Sequence, residues 1–322
     1  MATDPEGAVF RSVTKATTIN DRPVSGATVH AVLVRRLAAA GVDPAGYSGH
    51  SLRAGFVTDA YTAVGKYKEA EQLLLPAAAD NPLSDAALEL GLLQRLQGRR
   101  TESMRTFTLL LSREYVNASL AEYVRAGRAA RAIGRFEQAN GYFRDAIALA
   151  PTDVVANTEW GALFLEKHNR TDAAKSFQAA LRTNAESPAA LLGLARTMAD
   201  DNPPLARKLA QQVLGINPNE AGAHVLLADM ALDDLKRAEA TAEVEKALAV
   251  NPNHFEALAL KAAIAWLEKR PADQTAATDA LLKLNPTYGE VHRVIGGVSA
   301  RNYRFDEAAE FARKAVWEMP LA

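Results

Sequence analysis

The chain has 322 residues, of which 37 are basic, 38 are acidic and none is cysteine. Without cysteine there are no disulfides, thiolate metal sites, iron–sulfur clusters or cysteine nucleophiles. The net charge of -1 argues against a nucleic-acid coat protein or a polybasic membrane anchor. No apolar run approaches the roughly 20 residues of a membrane helix, and the N-terminus lacks a signal-peptide pattern. We therefore expect a cytoplasmic protein with no membrane contact.

The first 50 residues predict a short α/β segment. AVFRSVT (residues 8–14) predicts a strand, TTINDRPVS (17–25) a turn-rich connection, and GATVHAVLVRRLAAAGV (26–42) an amphipathic helix that ends at Gly41. An H-x-x-R motif follows, His50–Ser51–Leu52–Arg53, within the stretch HSLRAGF.

This segment resembles part of the catalytic domain of the tyrosine recombinases, the phage-integrase family. The resemblance implies that Arg53 grips a scissile phosphate and that His50 assists proton transfer. The upstream arginine, the lysine, the second histidine and the nucleophilic tyrosine of that family have no counterpart here. We therefore expect no intact recombinase activity. His50 is interpreted as a residue at the start of a helix, with a retained phosphate or DNA contact as the alternative.

Beyond this segment, a proline recurs in the sequence with a 34-residue spacing. Two small residues stand 12 and 5 places before several of these prolines, as do Ala139 and Ala146 before Pro151. Small residues let two helices cross closely, and proline ends a helix. Glycine tolerates the left-handed backbone of a tight turn between helices, which places Gly65, Gly98 and Gly134 at such turns. The prolines with the strict spacing are Pro218, Pro252, Pro286 and Pro320.

This pattern resembles the tetratricopeptide repeat, a 34-residue helix–turn–helix unit. Eight units are predicted to begin near residues 51, 84, 120, 154, 188, 221, 255 and 289. The expected fold is all-α: a right-handed superhelical solenoid of about eight units, preceded by the short α/β recombinase-like fragment. The expected domains are 1–50 and 51–322, and the helix after the H-x-x-R motif is shared with the first unit.

The resemblance implies that the first helix of each unit lines a concave groove that binds a peptide or protein. Arg125, Arg128 and Arg131 form one stripe along such a helix. Because arginine binds carboxylates bidentately, the stripe indicates a partner with an acidic segment. Alternatively, these are solvated charges, or they pair with Glu122, Glu89 and Glu159. The predicted groove residues are Arg95, Arg125, Arg128, Arg131, Arg196, Asp229, Asp233 and Trp266.

No motif for cofactor or metal chemistry appears. The sequence lacks a P-loop, a dinucleotide glycine fingerprint and an H-E-x-x-H motif, and its six histidines are widely separated. We therefore expect no cofactor, no metal site and no enzymatic activity.

The function predicted from the sequence is that of a non-enzymatic protein-interaction scaffold. A first alternative is DNA binding or a recombination role inherited from the N-terminal segment. A second is that the repeats form an accessory arm of an enzyme whose catalytic domain lies beyond residue 322. The last unit is not followed by a polar capping helix, which motivates this second alternative and leaves an exposed end through which the chain could self-associate.

Overall fold

The computed structural model describes residues 11–13, 19–23 and 65–318, with side chains for residues 65–315. Two short strands, β1 (Arg11–Val13) and β2 (Ile19–Pro23), pair antiparallel, with Arg11 opposite Pro23. β2 corrects the turn-rich connection expected at residues 17–25, because its backbone pairs with β1 instead of turning. The helix expected at 26–42 lies outside the described residues, as does the proposed boundary at residue 50.

Fifteen helices make up most of residues 65–318. Consecutive helices pair as antiparallel neighbours joined by short turns, and each pair packs on the next. The helices are α1 (Tyr67–Asp80), α2 (Asp85–Leu96), α3 (Arg100–Leu110), α4 (Leu120–Ala132), α5 (Phe136–Leu149), α6 (Val154–Glu166), α7 (Arg170–Thr183), α8 (Pro188–Met198), α9 (Pro203–Ile216), α10 (Ala221–Asp233), α11 (Arg237–Val250), α12 (Phe255–Leu267), α13 (Pro271–Leu284), α14 (Glu290–Arg301) and α15 (Phe305–Glu318).

The even-numbered helices are the first helices of their pairs, and the odd-numbered ones from α3 onward are the second helices. The first helices begin at residues 85, 120, 154, 188, 221, 255 and 290. α1 is a second helix, and residues 51–64, where its first helix is predicted, lie outside the described part of the chain. This part of the chain is therefore an all-helical solenoid of stacked pairs.

Polar residues mark where five of the seven first helices described begin. Side chains before five of the first helices accept a hydrogen bond from a backbone N–H of the first turn, which satisfies a donor with no partner inside the helix. Ser119 and Glu122 form a reciprocal capping box at α4. The other four capping residues are Ser84, Asp153, Ser187 and His254.

The turn between first and second helix contains a left-handed residue in seven places. The three glycines predicted there, Gly65, Gly98 and Gly134, have φ of +73°, +76° and +75°. Glycine adopts this conformation without steric cost, whereas other residues are strained in it. The corresponding residues in four other pairs carry side chains: His168, Leu235, Lys269 and Tyr303.

A glycine of the first helix packs on a phenylalanine of the second helix in three successive pairs. A Cβ atom added to Gly127 would lie 2.5 Å from the ring of Phe143. Gly91 faces Phe107 and Gly161 faces Phe177 in the same way. The three rings are almost completely buried. The missing side chain therefore sets how closely the two helices approach.

We predict that Gly127→Ala lowers the free energy of unfolding by about 1–3 kcal/mol, because the added methyl group overlaps the buried ring of Phe143. Gly141→Ala is the matched control, since Gly141 lies within α5 with nothing within 4 Å of an added Cβ. It should stabilise the chain by about 0.5–1 kcal/mol through helix propensity. Urea denaturation compares both with the parent. Equal shifts in the two variants would contradict the packing role of Gly127.

Candidate protein-binding surface

The first helices line the inner side of a curved array. Arg301 of α14 bonds to Asp229 of α10, with Nη2 2.9 Å from Oδ1, and also to Asp233. The helix between them in the array is α12. A side chain that bridges two helices past the one between them means that the first helices converge on this side. We call the exposed surface of the first helices the inner face.

The three arginines of the predicted stripe on α4 form ion pairs with carboxylates of the two neighbouring first helices. Arg125 donates to Asp85 at 2.6 Å and to the carbonyl of Leu83 at 2.9 Å. Arg128 lies 2.7 Å from Glu89 and 3.1 Å from Glu159. These contacts join α2, α4 and α6 across the inner face.

Arg131 completes this network on the α6 side. It donates to Glu159 at 2.6 Å and to Glu166 at 3.0 Å. Two of the carboxylates named as alternative partners, Glu89 and Glu159, do pair with the stripe. Glu122 instead caps α4 and pairs with Arg113 on the other side of the helix start. The stripe therefore connects first helices to one another.

Glu159 is the shared carboxylate of the network. Burial alone would raise the pKa of its carboxyl group, but the charges of Arg128 and Arg131 and a hydrogen bond from Arg131 outweigh burial and lower it. Because the pKa is lower in the folded than in the unfolded chain, the ionised form stabilises the fold at neutral pH. That contribution is lost as the pH falls through the lowered pKa.

Asp229, Asp233 and Trp266 of the predicted groove also contact other residues of the chain. Burial and the charge of Asp229 raise the pKa of Asp233, although Arg301 opposes them. Trp266 is half-buried: the guanidinium of Arg304 lies 3.8 Å from its ring centre, and Phe311 packs edge-on at 5.8 Å. These three predicted groove residues therefore contact the last helical pair.

Arg95 and Arg196 differ from the other predicted groove arginines. Neither forms an ion pair with any residue that the structure describes, and both are exposed. Burial and the nearby charge of Arg100 lower the pKa of Arg95, and the charge of Glu166 opposes them. The charge of Arg196 is one of the causes that lower the pKa of His254, after burial. These two guanidinium groups are thus available to an anionic partner.

The two ends of the described solenoid touch each other, which the sequence did not predict. The hydroxyl of Tyr67 donates to the carbonyl of Asn253 at 2.9 Å, and the Asn253 amide donates to the carbonyl of Gly65 at 2.9 Å. One repeat further along, the Asn285 amide donates to the carbonyl of Leu96 at 3.0 Å. We call these bonds the closure contact.

Apolar packing accompanies the closure contact. The rings of Tyr67 and Phe255 lie 6.3 Å apart, and both side chains are buried. One continuous apolar cluster contains residues from α1–α3 together with residues from α10–α15. Because the two sets of contacts are one repeat apart on both sides, the first and last described units overlap as successive turns of a superhelix do, with the inner face inside the turn.

The recombinase-like residues His50 and Arg53 lie outside the described part of the chain, so the DNA-linked alternative stays a hypothesis. Among the described residues, no group of three histidine, aspartate or glutamate side chains is arranged to hold a metal ion. None of the helices described is both long enough and apolar enough to cross a membrane.

We predict that Glu159→Gln lowers the free energy of unfolding at pH 7 by about 1–2 kcal/mol, because it removes one charge from a three-helix network. The deficit should shrink as the pH falls through the lowered pKa of Glu159, because the parent carboxylate then becomes protonated and loses its charge as well. Glu245→Gln, at an exposed position of α11, is the control and should have no effect. A deficit that is independent of pH would contradict the assigned charge.

We predict that Gly98→Ala opens the closure contact, whereas Gly134→Ala does not. Both substitutions impose the same left-handed strain of about 1 kcal/mol. A Cβ at Gly98 would also overlap Asn285, whose amide group is held at both ends by hydrogen bonds. At Gly134 the only neighbour within 4 Å is the ring of Phe136, at 3.9 Å.

Opening can be measured by energy transfer between dyes at Lys68→Cys and Glu256→Cys, both exposed positions in a chain without cysteine. The transfer efficiency should fall for Gly98→Ala only. Equal efficiencies in the parent and both variants would contradict the closure contact in solution.

Comparison with known proteins shows which folds this chain is similar to. Residues 158–221 match the family model described as "Tetratricopeptide repeat". No curated protein matches the sequence. One similar structure is a chain in the APC/C hetero-tetramer Cut9-Hcn1, with a TM-score of 0.60 and 15% identity, covering 86% of this chain and 54% of that one.

Two further structures are similar along nearly their whole length. A tetratricopeptide repeat protein from Parabacteroides merdae ATCC 43184 has a TM-score of 0.51 and 18% identity, covering 83% of this chain and 99% of that one. A thermophilic TPR protein of Thermus thermophilus, TTC0263, has a TM-score of 0.50 and 16% identity, covering 60% of this chain and 100% of that one. The chain therefore has the solenoid fold of tetratricopeptide-repeat proteins, with a sequence match to that family over residues 158–221.

Proposed function

We propose that the chain is a non-enzymatic, cytoplasmic scaffold that binds a protein or peptide partner on its inner face. Solenoids of stacked helical pairs present extended concave surfaces, and proteins of this fold generally act as interaction scaffolds. One structural neighbour is a chain of a hetero-tetramer, which supports assembly with other proteins. The fold alone does not identify the partner. We therefore use the charged residues of the inner face to infer the chemistry of the partner.

The observation that carries the proposal is the contrast between paired and unpaired arginines on the inner face. Arg125, Arg128 and Arg131 are neutralised by neighbouring carboxylates, so they fix the spacing of the first helices. Among the described residues, Arg95 and Arg196 keep unpaired guanidinium groups on the same surface. An arginine presents a planar fork of donors that matches a carboxylate. We therefore propose that an acidic segment of the partner contacts Arg95 and Arg196.

Charge reversal tests this proposal. Partners recovered with the parent chain from the lysate of expressing cells are quantified by mass spectrometry and compared with those of Arg95→Glu and Arg196→Glu. Each variant should lose the specific partner about tenfold or more, because an attractive contact becomes repulsive. Helix content measured by circular dichroism should not change, since neither arginine has an ion pair to lose within the described part of the chain.

Arg182→Glu is the matched control. Arg182 is an exposed arginine without an ion pair among the described residues, and it lies on α7, a second helix. Its substitution should leave partner recovery unchanged. If Arg182→Glu reduces recovery as much as Arg95→Glu and Arg196→Glu do, net charge rather than the inner face determines binding and the proposal fails.

A further inference from the structure

A cavity of about 370 Å³ lies where the two ends of the solenoid meet. One wall is the end of α2 and the start of α3, including Leu92, Arg95 and Arg100. The opposite wall is the loop between α13 and α14, including Tyr288 and Glu290. The cavity depends on the closure contact, since the Asn285 amide bonds to the carbonyl of Leu96 at its edge.

The charges that line this cavity favour an anion. Arg95 has no ion pair among the described residues, and it lies on the wall formed by the end of α2 and the start of α3. The carboxylate of Glu290, on the opposite wall, is bonded by Arg293 with Nε at 2.5 Å from Oε1, so its charge is compensated. Arg95 is therefore the group of this lining that offers its guanidinium to an anion.

The remaining lining shows which kind of anion fits. Leu92, Leu96 and the ring of Tyr288 provide apolar surface beside the guanidinium groups. Pockets of about 300–1,000 Å³ hold compact ligands with a few polar anchors among apolar walls. A glutamate side chain flanked by an apolar residue offers a carboxylate for Arg95 and apolar atoms for these walls. A small inorganic anion would leave the apolar walls unused.

We propose that this cavity, the closure pocket, binds a glutamate side chain and an adjacent apolar residue of an acidic partner peptide, and that it exists only while the closure contact is formed. This inference rests on the proposed function and adds the chemistry of the bound segment. It also makes binding depend on the closure contact. Arg196, which lines no part of the pocket, contributes to the inner face separately.

The test uses the full chain and a fluorescently labelled peptide of alternating glutamate, leucine and glycine, with fluorescence anisotropy as the readout. The parent should bind this peptide saturably and should not bind the peptide in which glutamine replaces glutamate. Arg95→Gln should weaken binding about tenfold or more, the loss expected for a charge-assisted hydrogen bond. Arg196→Gln should leave it unchanged.

A second pair of variants tests the dependence on closure. Gly98→Ala should weaken peptide binding about as much as Arg95→Gln, whereas Gly134→Ala should not, although both carry the same backbone strain. Asn253→Ala provides a further check that does not rely on a strained turn. It removes the bond to the carbonyl of Gly65 at a residue outside the pocket lining, and it should also weaken binding.

Several results would overturn the proposal. Failure of the parent to bind the glutamate peptide would contradict the proposed binding site. Equal losses of affinity for Arg95→Gln and Arg196→Gln would also contradict it. Equal binding of the peptide by Gly98→Ala and by the parent would show that binding does not depend on the closure contact. Displacement of the peptide by an equal concentration of inorganic phosphate would assign the cavity to a free anion. If the pocket fails while Arg196→Glu still loses the captured partner, the scaffold function stands without it.

Discussion

The close approach of the two helices within each pair is the constraint on which the rest of the structure depends. Three successive pairs achieve it in the same way, with a glycine of the first helix against a buried phenylalanine of the second, as in Gly127 and Phe143. This contact sets the distance between the helices, and the stacking of pairs then sets the curvature. A small change in each pair accumulates over the seven complete pairs described, so the position of one end relative to the other follows from a local contact repeated many times.

The local features of the fold could be predicted from the sequence because each depends on residues close together in the chain. The recurrence of proline and of small residues gave the period, and helix starts such as those of α4 and α6 fall at the residues expected from it. The strand β2 was missed, because its partner β1 supplies the pairing that the strand's own sequence does not indicate. The recombinase-like residues lie outside the described part of the chain, so the structure does not test that resemblance.

The charges of the inner face were located by the sequence, but their partners were only partly identified. Glu89 and Glu159 were named as alternative partners of the stripe, and both pair with it, whereas Glu122 pairs with Arg113 instead. Arg301 reaches Asp229 past an intervening helix, and the closure contact joins Gly65 to Asn253. Both depend on curvature, and no short sequence motif reports curvature. Most of the predicted charges on the inner face are therefore satisfied within the chain, and few remain to select a partner.

The closure contact also limits how this chain can vary. In an open solenoid each repeat touches only its neighbours, so a unit can be gained or lost without disturbing distant ones. Here the turn at Gly98 must meet the loop at Asn285. The rotations between the intervening pairs must therefore add up to the angle that brings these two segments together. Because Gly65 meets the loop at Asn253 in the same way, the contact recurs with the period of the units, and inserting one unit would bring each turn against the equivalent loop of an adjacent unit. The number of units in one superhelical turn, rather than the total number of units, is thus the structural parameter that this contact fixes.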